Sequence, residues 1–158
     1  NTKLFIIRLP LVLGHNPRGN LNTLLNYCNS NYPLPFKNIS NIKSYITIFT
    51  LFDFIKTLIN NNITEKNLIL ISEKNNISIK KLIIIYKKIF KRKNNLFFLN
   101  PYLFKILFII FLKRNFYYKI FNSLYYDTSK YKKLYNWEPK NDLEINLIKS
   151  LSVNLNKL

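Results

Sequence analysis

The residue pattern predicts an α/β fold, and three observations carry the prediction. Short apolar runs at 4–9, 44–49 and 67–71 read as strands. Segments with helical spacing at 20–29, 50–60 and 78–90 follow them in turn, the alternation that builds parallel sheets. The last third of the chain is richer in helical spacing than in strands, which predicts a more helical C-terminal part. With 158 residues the chain can hold one domain with a sizeable core.

The run at 4–9 is almost wholly apolar, as expected of a parallel strand covered on both faces. It ends near Gly14, and Asn16-Pro17-Arg18-Gly19 is loop chemistry. The helix at 20–29 presents Leu21, Leu24, Leu25 and Cys28 on one face. The stretch 30–41 carries Pro33-Leu34-Pro35-Phe36, and its prolines favour extended backbone.

Residues 44–49 alternate and are rich in β-branched and aromatic side chains, so they read as a strand. Thr50 is the expected cap of the next helix, with Leu51, Ile55, Leu58 and Ile59 inward. Ser78 caps a helix whose inward stripe is Ile79, Leu82, Ile83, Tyr86 and Phe90. An extended piece follows at 97–100, and Pro101 begins a helix that ends near Lys113-Arg114. Asp127 is the expected cap of a helix at 128–135, and Asp142 of a last one with Leu143, Leu147, Leu151 and Leu155 inward.

Composition narrows the chemistry. Ala, Met and Gln are absent and Asn, Ile, Lys, Phe and Tyr abound, the signature of a low-GC coding sequence. The net charge of +18 therefore reads first as lysine spread over solvated faces, and only then as a footprint for polyanions. The single Cys28 excludes an internal disulfide, fits a reducing, cytoplasmic setting and reads as a core residue. With one cysteine and the lone His15 there is no metal-ligand spacing. The most apolar run, 103–112, is interrupted by Lys105 and falls short of the ~20 residues a transmembrane helix needs, so it reads as a buried or membrane-surface helix. The chain begins at Asn1, without methionine and close to a strand-like run, which reads as a fragment.

Several stretches resemble one family in order and spacing. Arg8-Leu9-Pro10-Leu11-Val12-Leu13-Gly14 is similar to the Arg-x-x-x-Val-Tyr-Gly strand of extended short-chain dehydrogenases/reductases. Pro33-Leu34-Pro35-Phe36 and then Lys43-Ser44-Tyr45-Ile46 resemble that family's Leu-Pro-hydrophobic-Phe-Gly and Arg-Ser/Asp-Phe/Tyr-Val segments. Leu70-Ile71-Ser72-Glu73 with Ser78 looks like its Val-Ser-Asp-Gly strand, loop and capped helix. Asp127-Thr128-Ser129-Lys130, with Leu134, Trp137 and Pro139, resembles its Asp-x-Ser-Lys…Leu-Gly-Trp-x-Pro ending. Lys74 and Asn136 stand where the family has glycine.

The resemblance is to NAD-dependent epimerase/dehydratase proteins of the UDP-glucose 4-epimerase type, which serve cell-surface polysaccharide synthesis. It covers only the C-terminal half of such an enzyme. It implies the last strands of a Rossmann-type NAD(P)-binding fold followed by a small, largely helical substrate-binding region. The dinucleotide cradle and the catalytic Tyr-x-x-x-Lys pair would then lie upstream of Asn1, leaving this piece inactive alone. Tyr126 and Lys130 share that spacing but overlap the Asp-x-Ser-Lys ending and read as coincidence.

Carried over by position, the nucleotide contacts fall on Asn20, Leu34, Phe36 and Lys43. Lys43 replaces an arginine, supplying charge without the bidentate fork. Each has a structural alternative: a helix cap for Asn20, core packing for Leu34 and Phe36, and solvation for Lys43. The implied cofactor is NAD, bound mainly by the other half, and the implied partner is a UDP-sugar. A homodimer is compatible with the resemblance, nucleic acid is not an expected partner, and peripheral membrane contact stays open. The competing reading, carried by the charge, is a catalytically inactive relative acting as a basic structural or membrane- or RNA-surface-binding protein.

Overall fold

The computed structural model describes residues 4–17, 19–60, 68–100, 102–103, 105–106, 110, 118 and 121–152. In chain order they form β1 (Ile6–Arg8), β2 (Leu11–Leu13), α1 (Asn20–Cys28), β3 (Tyr45–Thr47), α2 (Ile48–Asn60), β4 (Leu68–Leu70), α3 (Ile79–Ile89), α4 (Ser129–Leu134) and α5 (Leu143–Ser152). The α/β alternation is as the sequence predicts. The chain divides into two compact units, the first made of Asn1–Pro17, Ser44–Asn76 and Tyr125–Leu158, the second of Arg18–Lys43 and Ile77–Leu124.

All four strands lie in the first unit. Pro10 has no N–H to give a ladder, and the opening run changes partner there. Before it β1 runs parallel to β4, with Ile6 opposite Leu68 and Ile7 opposite Ile69. After it β2 runs parallel to β3, with Val12 opposite Ile46. Side chains alternate across a strand, so Ile7 and Ile69 turn to the core while Leu4, Ile6 and Leu68 turn the other way. That second face is open, with Ile6 57% and Leu4 66% exposed. The expected cover on both faces is therefore absent among the described residues, because the elements of this unit that pack on β1 and β4 do so on the Ile7 and Ile69 side.

The strand expected at 44–49 stops at Thr47. The Thr47 hydroxyl accepts the Thr50 N–H at 3.2 Å, so Thr47 opens α2 and Thr50 is the residue being capped. The inward stripe of α2 is Thr50, Phe54 and Leu58, whereas Ile59 is exposed and Leu51 and Ile55 are half-buried. Phe54 turns the stripe by taking the centre of the core, edge-on to Tyr135 at 5.7 Å and to Trp137 at 4.8 Å between ring centroids. Helix α5 packs on α2 and β3 with Leu143 and Leu147 buried, Leu151 half-buried and Leu155 outside the described residues.

The cap position of α4 is Thr128. The Asp127 carboxylate, one residue earlier than expected for a cap, accepts the Ser129 N–H at 2.9 Å, and the Ser129 donors hold its pKa below the usual carboxylate range. At the far end Trp137 N–H reaches Lys132 O and Asn136 N–H reaches Lys133 O, the paired bonds of a left-handed helix stop. Asn136 takes φ 43° there, as expected of a residue standing in for glycine, whereas Lys74 has no positive φ.

In the second unit α1 packs on α3. Leu21, Leu25 and Cys28 are buried and Leu24 is half-buried. Ser78 caps α3 by accepting the Lys81 N–H at 3.1 Å. The buried positions of α3 are the predicted Ile79, Leu82, Ile83 and Tyr86, joined by Ile85 and Lys87, and Phe90 at the helix end is half-buried. The expected extended piece at 97–100 begins beside a short parallel bridge between Leu34 and Leu96. Of the helix expected after Pro101, Tyr102, Leu103, Lys105, Ile106 and Ile110 have helical backbone, and its end at 113–114 lies outside the described residues.

Candidate functional site

Asn20 is the first residue of α1 and is exposed. The cap position belongs to Gly19, whose φ of 69° and ψ of −141° suit glycine alone, and it offers no side-chain oxygen to the helix. Asn20 is thus not the cap, and its amide is presented beside the positive end of a nine-residue helix.

Leu34 and Phe36 are core residues, each 6% exposed. Leu34 N–H donates to Asn95 O at 3.1 Å, Phe97 N–H to Leu34 O at 3.0 Å and Lys37 N–H to Phe97 O at 3.2 Å. The segment is therefore a fixed strip rather than an open loop. Lys43 is half-buried and pairs its backbone in both directions with Ile77, at 3.0 Å each way. Partial burial lowers its pKa, since the neutral amine costs less to desolvate than the ammonium. The four positions thus sit on three separate pieces of the second unit. Asn20 is on its surface, Lys43 is partly accessible, and the other two build its core.

Lys87 opens the basic cluster 87–93 at the end of a predicted helix, and sequence reasoning does not mark it as buried. Its side chain is fully buried, and its ammonium donates to Ser30 O at 3.1 Å, Tyr32 O at 3.4 Å and Asn95 Oδ1 at 3.4 Å. Asn95 Nδ2 in turn donates to Asn31 O at 2.6 Å. The cation ties the chain leaving α1 to the strip that holds Leu34, through carbonyls of the loop beyond the helix end. The signal was present: Lys87 follows Ile83 by four residues, on the buried stripe. Cys28 lies in the same core, where burial pushes its thiol up to about 12 against the opposing pull of Lys87.

The first unit has its own polar centre. Glu73 is 1% exposed; its Oε1 accepts the Thr47 N–H at 3.0 Å and the Thr47 hydroxyl at 2.7 Å, and its Oε2 accepts Asn146 Nδ2 at 2.9 Å. These bonds satisfy the carboxylate at the positive end of α2 and join β3 to α5. Nearby, Trp137 Nε1 donates to Asp53 Oδ2 at 2.8 Å, and Lys140 stands 3.8 Å from Asp53 Oδ1. A cleft of about 120 Å³ lined by Thr50, Asp53, Asn146 and Lys149 lies between these groups. It is well under the roughly 300 Å³ of an ordinary small-molecule pocket. Lys130 is exposed on α4 and Tyr126 lies outside that helix, giving its N–H to Ser44 Oγ at 2.9 Å.

Charge divides along the same boundary. All seven acidic residues (Asp53, Glu65, Glu73, Asp127, Glu138, Asp142 and Glu144) belong to the first unit. The second unit holds 14 of the 25 basic residues and no acid. Coding bias accounts for lysine in place of arginine, but it does not account for this segregation. A surface without compensating carboxylates attracts anions over its whole extent.

No family model and no curated protein matches the sequence. Solved structures do share the fold. A UDP-N-acetylglucosamine 4-epimerase from Bacillus cereus superposes with a TM-score of 0.60 at 14% identity, over 92% of this chain and 43% of that one. A UDP-glucose 4-epimerase from Thermotoga maritima, solved with UDP-glucose, gives 0.58 at 14% identity, over 97% of this chain and 46% of that one. The chain therefore spans less than half the length of either structure. At this level of identity the likeness is one of fold: a mixed α/β chain with small parallel sheets has the architecture of part of a UDP-sugar 4-epimerase.

Proposed function

We propose that this chain is the C-terminal, substrate-binding half of an NAD-dependent nucleotide-sugar epimerase or dehydratase, and that its second unit holds the UDP part of the sugar nucleotide. The observation that carries the reading is the open face of β1 and β4. Parallel sheets in α/β proteins are covered on both faces, yet Leu4, Ile6 and Leu68 are bare, and structures of the same fold are more than twice as long. A preceding half seated on that face would complete the sheet. The acid-free second unit, with Asn20 exposed and Lys43 half-buried, supplies the electrostatics that a diphosphate needs.

The described residues do not suit the dinucleotide itself. A pyrophosphate cradle needs glycines that leave room for the ligand. A Cβ at Gly14 would meet Ile48 Cγ1 at 2.8 Å, so that space is already filled by protein, and Gly19 stands alone. NAD and the oxidation and reduction of the sugar are therefore assigned to the other half, and no residue of this chain is given a catalytic role.

Calorimetry with UDP tests the binding assignment. The chain should bind UDP, and Lys43→Met and Asn20→Ala should each weaken binding roughly tenfold, the worth of one hydrogen bond to a charged group. Turnover of UDP-sugars should appear only when a dinucleotide-binding half is present. Absence of UDP binding in the complete assembly would overturn the reading.

A further inference from the structure

The second unit also carries an apolar surface that the nucleotide-sugar reading leaves unused. Phe97, Phe98, Tyr102, Leu103, Ile106 and Ile110 are all exposed, Tyr102 by 80% and Ile110 by 68%. Tyr102, Leu103, Ile106 and Ile110 have helical backbone and make an exposed apolar stripe, with Lys105 exposed beside them. Lys91, Arg92 and Lys93 are exposed just upstream. No acidic residue occurs anywhere between Glu73 and Asp127.

We propose that Phe97, Phe98, Tyr102, Leu103, Ile106 and Ile110 dock the second unit on the surface of an anionic phospholipid bilayer. The aromatic and aliphatic stripe would lie at the boundary of headgroups and acyl chains, with Lys91, Lys93 and Lys105 among the headgroups. Charge complementarity selects this occupant: the apolar stripe is set in a unit that is basic throughout and has no carboxylate to repel phosphate. Tyr and Phe suit the interfacial layer, and lysines beside the stripe reach the headgroups through their apolar stems. Leu103, Ile106 and Ile110 favour lipid over RNA, because aliphatic side chains neither stack on bases nor pair with phosphate. Among the described residues no helix is long and apolar enough to cross a membrane.

The test is flotation of the chain with vesicles of phosphatidylcholine alone and of phosphatidylcholine with phosphatidylglycerol. Binding is expected only with the anionic lipid, weakening by about fivefold for each of Lys91→Gln and Lys93→Gln. The double variant L103E/I106E should lose binding by more than tenfold, while Ile59→Glu, at an exposed apolar position of the first unit, should not change it. Fluorescence of Tyr102→Trp should be quenched by bromine-labelled acyl chains. Equal binding to neutral and anionic vesicles would overturn the proposal. So would retained binding by L103E/I106E, absent quenching, or retention of the protein by RNA instead of vesicles.

Discussion

The two units are built around buried charges of opposite sign. In the first, Glu73 collects neutral donors from Thr47 and Asn146 at the beginning of α2. In the second, Lys87 collects neutral acceptors from Ser30, Tyr32 and Asn95 beyond the end of α1. Among the described residues neither has an ion-pair partner within 4 Å. Each is neutralised by dipoles, an anion at a helix N-terminus and a cation past a helix C-terminus. The contrast teaches that the surplus of positive charge reaches inside the second unit and is not confined to its surface.

Removing the anion should have the largest effect. Glu73→Ala leaves the Thr47 N–H and one Asn146 amide proton without an acceptor, while the Thr47 hydroxyl keeps Thr50 Oγ1 at 2.9 Å, and should lower stability by about 3 kcal/mol, read from urea unfolding. Glu73→Gln, which keeps one acceptor but sets two amide groups against each other, should cost about half as much. An unchanged unfolding midpoint for either would mean that the first unit does not depend on its carboxylate. Removing the cation should do less, because carbonyl oxygens tolerate a missing donor better than buried N–H groups tolerate a missing acceptor. Lys87→Met should cost about 2 kcal/mol and speed alkylation of Cys28 in the native state, since the strip beside the cysteine loses its tie.

Gly19→Ala isolates the backbone term at the start of α1. Nothing lies within 4 Å of the added Cβ, so any loss, about 1–2 kcal/mol, reflects conformation alone. The pH dependences of the second unit also take opposite directions. Cys28 titrates at 9.0 when unexposed to such burial and at about 12 in the fold, so its contribution is intact below pH 9 and falls as pH rises from there. Lys43 has a folded pKa below 10.5, so its charge opposes folding at lower pH and this penalty fades as pH rises between the two values. Unfolding curves of Cys28→Val and Lys43→Met against the parent across pH 8–11 should diverge in these opposite senses.

Much of the helical structure was legible. The stripes of α1 and α3 and the Ser78 cap follow from spacing and residue chemistry, and the left-handed turn at Asn136 from the glycine that the family resemblance puts there. The start of α2 is set by a long-range contact: Thr47 and Thr50 are both good caps, and the tie is broken by Glu73, which receives the Thr47 N–H and hydroxyl from 26 positions away. The open face of β1 was illegible because an apolar run states what a strand would bury, not what is present to cover it. The order of motifs led to the mixed α/β fold that the solved 4-epimerases share. It did not distinguish the buried Leu34 and Phe36 from the accessible Asn20, since accessibility depends on the Asn95 and Phe97 backbone lying alongside. Lys87 and Glu73 were hidden for a simpler reason: charged residues in a charged chain read as solvated until their partners are known.

The left-handed turns at Asn136 and Lys91 have a consequence for what selection could still improve. Only two glycines occur in the chain, at one position where a Cβ would press on Ile48 and at another where the dihedral angles admit little else. The stops of α3 and α4, with φ of 54° at Lys91 and 43° at Asn136, have gone without. Each therefore holds a small reserve of stability that one substitution would release, about 1 kcal/mol for Lys91→Gly and less for Asn136→Gly. A protein so sparing of glycine is left with headroom at its helix ends rather than in its core.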